Sequence, residues 1–179
     1  MAKDVTSKVA EEQALRRAAN QDKLTGLHNR SYGEQLLQEA CRQARKGQPL
    51  SILVCDIDHF KRINDRFGHI AGDRVLRQVA TAMRGAVRSN DPVIRWGGEE
   101  FLIILQRCTA DRAVVLARRI RELVASQQDP EVGASTLSIG VAQLQDDESA
   151  EHFFERADAA LYAAKGAGRN RVEMAVARP

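Results

Sequence analysis

The chain has 179 residues, enough for one domain with a short appendage, and 44% hydrophobic content suffices for an ordinary core. Its net charge of +3 arises from 27 basic and 24 acidic residues mixed along the chain, an excess too small and scattered to argue for a nucleic-acid or anionic-membrane partner. No apolar stretch approaches the roughly 20 residues of a membrane span, and the start MAKDVTSKVAEEQ lacks the apolar core of a secretory signal.

Residues 3–21 contain neither Gly nor Pro and are rich in helix formers. Their apolar spacing, Val5, Val9, Leu15 and Ala18, covers about two loose heptads, short of the three or four of a self-sufficient coiled coil. This reads as a helical stalk over 1–21 that pairs weakly alone, with a catalytic-type domain expected over 22–179. A helix is expected from about 31 to 46, ended by Gly47 and Pro49. LSILVCDID (50–58) is a continuous apolar run ending in acids, the pattern of a central strand covered on both faces. A short helical piece (59–66) precedes a longer helix over 68–88, where Val75, Leu76, Val79, Met83 and Val87 recur at helical spacing. PVIRW and FLIILQ flank a GGEE tip as a hairpin. A further helix spans 109–127, with Val114, Val115, Ala117, Ile120, Leu123 and Val124 apolar; a strand (136–144), a helix (149–165) and a short strand (169–176) complete the chain. The class is α/β, with a mixed central sheet of about five strands flanked by helices, because a hairpin in the middle does not suit a purely parallel fold. Cys41, Cys55 and Cys108 are dispersed without a CxxC, which excludes a disulfide framework or thiolate zinc site. They read as small buried apolar residues in a reducing, cytoplasmic compartment.

The acids at the strand ends carry the chemistry. Strand 51–57 delivers Asp56 and Asp58 at its end, on one side at period two, and the hairpin delivers Glu99 and Glu100. If the two strands are neighbours, these carboxylates share one metal-sized site of hard oxygen ligands such as Mg²⁺ prefers. A bound cation makes adjacent like charges favourable. Lys61 lies five residues past Asp56, within reach of phosphate on the same metal. A carboxylate such as Asp73 accepts from guanine N1–H and its exocyclic amine, whereas adenine N1 repels it. Lys165 and Arg169 surround a glycine-containing turn after a helix. Each feature has a plainer reading as a polar turn, a helix cap or a charge on the helix dipole.

DKLTGLHNR, DIDHFKRINDRFGH, RWGGEEF, TLSIGVA and ADAALYAAKGAGRNRV, in this order from about Asp22 to Val172, resemble the successive motifs of GGDEF-domain diguanylate cyclases. The resemblance implies a fold similar to nucleotidyl cyclases and polymerase palm domains, and condensation of two GTP into cyclic di-GMP with release of two pyrophosphates. It implies that Asp56, the Ile57 carbonyl and Glu99 hold two Mg²⁺ ions (Mn²⁺ being an alternative), with Glu99 also the candidate general base. Lys61, Lys165 and Arg169 would hold the triphosphate, Asn64 and Asp73 would read guanine, and His69 would lie close to the same nucleotide. One domain holds one nucleotide, so catalysis requires a homodimer, and an upstream sensory domain or partner would act through the stalk. Arg88 and Asp91, in RSND five residues before GGEEF, match the family's RxxD site for inhibition by product. An assisting arginine is left open between Arg118 and Arg119. His59 stands where an aromatic residue is frequent and Trp96 where Tyr is common; neither removes a ligand. A catalytically silent receptor for GTP or cyclic di-GMP is the alternative reading, but silent members usually lose the acids, the lysine or the guanine pair, all present here. Cyclisation within one nucleotide is disfavoured by Asp73.

Overall fold

The computed structural model describes residues 2–44 and 47–177. Its centre is β1 (Leu50–Ile57), in which all eight residues are buried, as a strand covered on both faces requires. β1 pairs antiparallel with β3 (Glu100–Gln106) on one side and with β4 (Leu137–Gln143) on the other. Outside these lie β2 (Val93–Arg95), antiparallel to β3, and β5 (Val172–Met174), parallel to β4. The sheet is therefore five-stranded and mixed, in the order β2-β3-β1-β4-β5.

Alternation along β1 feeds two hydrophobic layers. Leu53, Cys55 and Ile57 pack with Val75, Leu76, Val79 and Met83 of α4 (His69–Ala86) and with Ile120 and Val124 of α5 (Ala110–Ser126). Ile52 and Val54 pack on the opposite face against Leu37 and Cys41 of α2 (Arg30–Ala44) and Phe153 and Leu161 of α6 (Ala150–Gly166). Gly140 decides how closely α6 lies on the sheet. A Cβ there would stand 2.1 Å from the Ala157 carbonyl oxygen and 2.4 Å from the Leu161 nitrogen, so any larger residue pushes the helix outward. The short α3 (Phe60–Phe67) joins β1 to α4, and α1 (Ala2–Asn20) precedes the sheet, with Val5, Val9 and Leu15 exposed.

The observed elements fall close to those expected, with instructive differences. The expected end of α2 at residue 46 lies outside the described residues. On α5 the buried stripe is Ala113, Ala117, Ile120 and Val124, whereas Val115 and Leu123 are exposed. Apolar composition alone does not separate those two from the buried set; the 3.6-residue period puts Ala113, Ala117, Ile120 and Val124 on the inner face. The last strand is three residues long rather than eight, because residues 167–171 form a turn after α6. All three cysteines are buried, as expected, and none of them forms a disulfide among the described residues.

Candidate active site

The register of β1 and β3 sets Asp56 opposite Glu100, and the Ile57 amide donates to the Glu99 carbonyl at 3.2 Å. Acids distant in sequence thus meet at one end of two adjacent central strands. Asp56 is nearly buried, with 8% of its side chain exposed, and Lys165 at the last turn of α6 donates to its Oδ2 at 2.5 Å. Burial raises the Asp56 carboxyl to about 6, with Glu99 and Glu100 adding to the rise and the Lys165 ammonium opposing it. Glu100 is raised too, by burial first and then by Asp158, with Glu99 contributing. One ammonium does not neutralise this group of acids, and an added divalent cation would.

The donor set suits a hard cation. No group of three His, Cys, Asp or Glu side chains forms a closed metal cage among the described residues. Mg²⁺ asks for less than that: one or two carboxylates, with substrate phosphate and water completing the octahedron. Asp56, Glu99 and the Ile57 carbonyl are residues able to supply such an open site.

The hairpin tip is fixed from outside. Arg95 donates to the Gly98 carbonyl through Nε at 3.2 Å and Nη2 at 2.8 Å, while its Nη1 donates to both Asp22 oxygens at 3.2 and 3.3 Å. Asp22 also accepts from the Thr25 amide at 2.9 Å and its hydroxyl at 2.6 Å. Burial alone would raise the Asp22 carboxyl, but Thr25 and Arg95 together hold it below the usual range. Trp96 stacks on Phe154 with ring centroids 4.7 Å apart, and the Arg30 guanidinium lies 4.9 Å from its ring. Trp96 therefore braces the glycines against α6, which explains a large aromatic residue at this position.

A Cβ on Gly72 would lie 1.9 Å from Asn64 Oδ1, so Gly72 lets the Asn64 side chain sit against the first turn of α4, one residue before Asp73 in the chain. Lys61 on α3 and His69 at the start of α4 are exposed. Arg74, one residue beyond Asp73, clamps the buried Asp129 through Nε at 2.8 Å and Nη2 at 2.9 Å, which fixes α4 to the loop before β4.

Arg169 is exposed in the turn after α6, where Gly168, Arg169 and Asn170 all have positive φ (119°, 64° and 46°). Arg88 pairs with Asp91, donating through Nε at 3.0 Å and Nη2 at 3.3 Å, and its Nη2 also donates to the Gln106 carbonyl at 2.7 Å. The Arg88 side chain is 62% exposed while that of Asp91 is 4% exposed, so the guanidinium faces solvent and the carboxylate is enclosed beneath it. Arg118 and Arg119 are exposed on α5. Sequence reading left Asp22, Arg95 and Arg74 unassigned, and it grouped Asp58 with Asp56 in one metal-sized site, whereas the Asp58 carboxylate is engaged by the Thr136 and Ser138 hydroxyls and the Asn170 amide. The motif DKLTGL and the second acid of DID were visible signals; the partners of those residues were not.

The sequence model of the family described as "Diguanylate cyclase, GGDEF domain" matches residues 19–171. Diguanylate cyclase DgcP of Pseudomonas aeruginosa is 44% identical over 164 residues, covering 89% of this chain and 24% of that protein. Diguanylate cyclase DgcM of Escherichia coli is 42% identical over 170 residues, covering 94% of this chain and 42% of that one. The chain thus spans between about a quarter and two fifths of the length of these relatives. Among solved structures, the coiled coil and GGDEF domain of DgcB from Caulobacter crescentus in complex with c-di-GMP superposes with a TM-score of 0.92 at 37% identity, covering 97% of this chain and 95% of that one. Diguanylate cyclase SiaD in complex with its activator SiaC, from Pseudomonas aeruginosa, gives a TM-score of 0.85 at 36% identity, covering 97% of this chain and 69% of that one.

Proposed function

This chain belongs to the GGDEF diguanylate cyclase family, and on that premise we propose that it condenses two GTP into cyclic di-GMP with release of two pyrophosphates. The observation that carries the reading is the convergence of Asp56, Glu99 and Glu100 at neighbouring strand ends. There the Asp56 carboxyl is lifted to about 6 by burial and by the other acids, with Lys165 directly across.

Asp56, the Ile57 carbonyl and Glu99 would hold two divalent cations, Mg²⁺ or Mn²⁺. When bound, these cations would offset the acidic charge and stabilise the attacking and leaving oxygens of an in-line displacement at the α-phosphorus. Glu99 would accept the proton of the attacking 3′-hydroxyl. Lys165, freed from Asp56 by the competing cation, would join Lys61 and Arg169 on the triphosphate. Asp73 would accept from the guanine N1–H and exocyclic amine beside Asn64, whose position against Gly72 supports a shared base-reading edge. His69 would lie close to the same nucleotide.

The product joins two nucleotides and one domain presents one, so a homodimer with two facing domains is required. Helix α1 is the element that would set their presentation to a signal from an upstream domain or partner. Arg88 and Asp91 would form an inhibitory site for cyclic di-GMP; the solvent-facing Arg88 guanidinium supports anion capture there. No helix among the described residues is long and apolar enough to cross a membrane; GTP and Mg²⁺ as reactants would put the domain in the cytoplasm.

Incubating the purified protein with GTP and Mg²⁺ and weighing the product by mass spectrometry tests the reading. Cyclic di-GMP is expected. Cyclic GMP would indicate closure within one nucleotide, and no product at high protein concentration would favour a silent receptor.

A further inference from the structure

Asp58 directly follows β1, two residues beyond Asp56, yet it is turned to a different task. It is 5% exposed and forms no ion pair among the described residues: its carboxylate accepts from the Ser138 hydroxyl at 2.6 Å, the Thr136 hydroxyl at 2.7 Å and the Asn170 amide at 2.9 Å. Its own amide donates to the Thr136 carbonyl at 2.9 Å. A buried, ionisable side chain held by neutral donors from two distant segments is costly to keep unless it organises something.

What it organises is the turn after α6. Arg169 and Asn170 both lie in the left-handed region, which a side chain such as arginine seldom adopts without outside support. The turn begins with helix-capping bonds, Arg169 amide to the Ala164 carbonyl at 3.0 Å and Ala167 amide to the Ala163 carbonyl at 2.9 Å. It then has to deliver the next amide elsewhere, and Asp58 Oδ2 receives it. The Asn170 side chain is held separately, its Oδ1 accepting from Arg121 at 3.0 Å. Just before this pin in the chain come Lys165, reaching Asp56, and Arg169, exposed in the turn.

We propose that Asp58 is a positioning residue for the nucleotide site: by accepting the Asn170 amide it holds the left-handed turn that aims Arg169 at the substrate triphosphate, in register with Asp56 on the same strand end. The inference rests on the GTP reading given above and deepens it. Asp58 contributes no metal ligand and moves no proton; it fixes the distance between the phosphate-binding turn and the carboxylate strand.

Asp58→Asn keeps the shape of the side chain and removes its charge and one of its two acceptor oxygens, so the charge-assisted bonds from the Asn170 amide and the two hydroxyls are weakened. The test compares GTP turnover of wild type, Asp58→Asn, Arg169→Ala and the double variant. Asp58→Asn is expected to raise KM for GTP about tenfold with kcat changed less than about threefold, as loss of a supporting hydrogen bond to a binding group does. Arg169→Ala is expected to do the same, and the double variant is expected to be no worse than the poorer single one, because both remove one function. Thr136→Val, which takes one donor from the same oxygen, is expected to raise KM in the same direction by about threefold. That variant decides the matter if Asp58→Asn does not fold. An active wild type whose Asp58→Asn or Thr136→Val variant keeps its KM overturns the inference alone, as does a double variant showing the product of the two single effects. A wild type that neither binds nor turns over GTP overturns the functional reading and the inference with it.

Discussion

Replacing Asp56 by asparagine is expected to stabilise the metal-free protein while abolishing turnover. Burial, with Glu99 and Glu100, lifts this carboxyl from 3.8 to about 6 in the fold, even against the Lys165 ammonium. Near pH 3 and below, the group mostly holds its proton in both folded and unfolded chains, and an asparagine differs little from it. As pH rises from about 4 to about 6, the unfolded chain loses the proton first. The folded chain binds more protons in this window, so the contribution of Asp56 to stability falls. Above about 6 the whole penalty is present, and at roughly 1.36 kcal/mol per pH unit it comes to about 3 kcal/mol. Losing the hydrogen bond from Lys165 takes back about 1 kcal/mol. The net gain of about 2 kcal/mol corresponds to about 6 °C in a chain of this size. Thermal unfolding of both proteins in EDTA at pH 3 and pH 7.5 measures it: the melting temperatures should nearly coincide at the lower pH and separate in favour of the variant at the higher. A variant less stable than wild type at pH 7.5, or a gap that does not change with pH, would refute the reasoning.

Glu99→Gln should abolish cyclic di-GMP formation with the unfolding midpoint within a few degrees of wild type; a fully active variant removes Glu99 from its role as ligand and base. Arg95→Ala frees the Gly98 carbonyl and leaves Asp22 without its cation, so kcat should fall about 10- to 100-fold, as is usual when an outer support is lost. Unaltered kcat in steady-state assays counts against the tether. Arg88→Ala should relieve inhibition by added cyclic di-GMP while initial rates stay within about twofold. It should also lower the melting temperature by several degrees, because the enclosed Asp91 carboxylate loses its charged partner. Unchanged inhibition refutes the site as assigned.

What was legible in the sequence follows from the range of the interactions. LSILVCDI announced a doubly covered strand because burial of both faces leaves no polar position to alternate with, and all eight residues are buried. RWGGEEF announced a hairpin through local chemistry, and antiparallel pairing then brought Glu99 and Glu100 to Asp56 without further information. The contacts that finish the site were silent because they join segments far apart. Lys165 meets Asp56 across 109 positions, the Asn170 amide meets Asp58 across 112, and Arg95 meets Asp22 across 73. No period or turn signal encodes such partners; the first two depend on how closely α6 settles on β4, which Gly140 permits. The exposure of Val115 and Leu123 has the same origin, since hydrophobicity does not say which alanine faces the sheet.

Anomalous diffraction from crystals grown with Mn²⁺ and an unreactive GTP analogue tests the central claim most directly. Manganese peaks are expected between the Asp56 and Glu99 carboxylates, beside the triphosphate, with Lys165 turned from Asp56 to a phosphate oxygen. Manganese bound elsewhere, with Asp56 still paired to Lys165 and Glu99 without a metal contact, would contradict it.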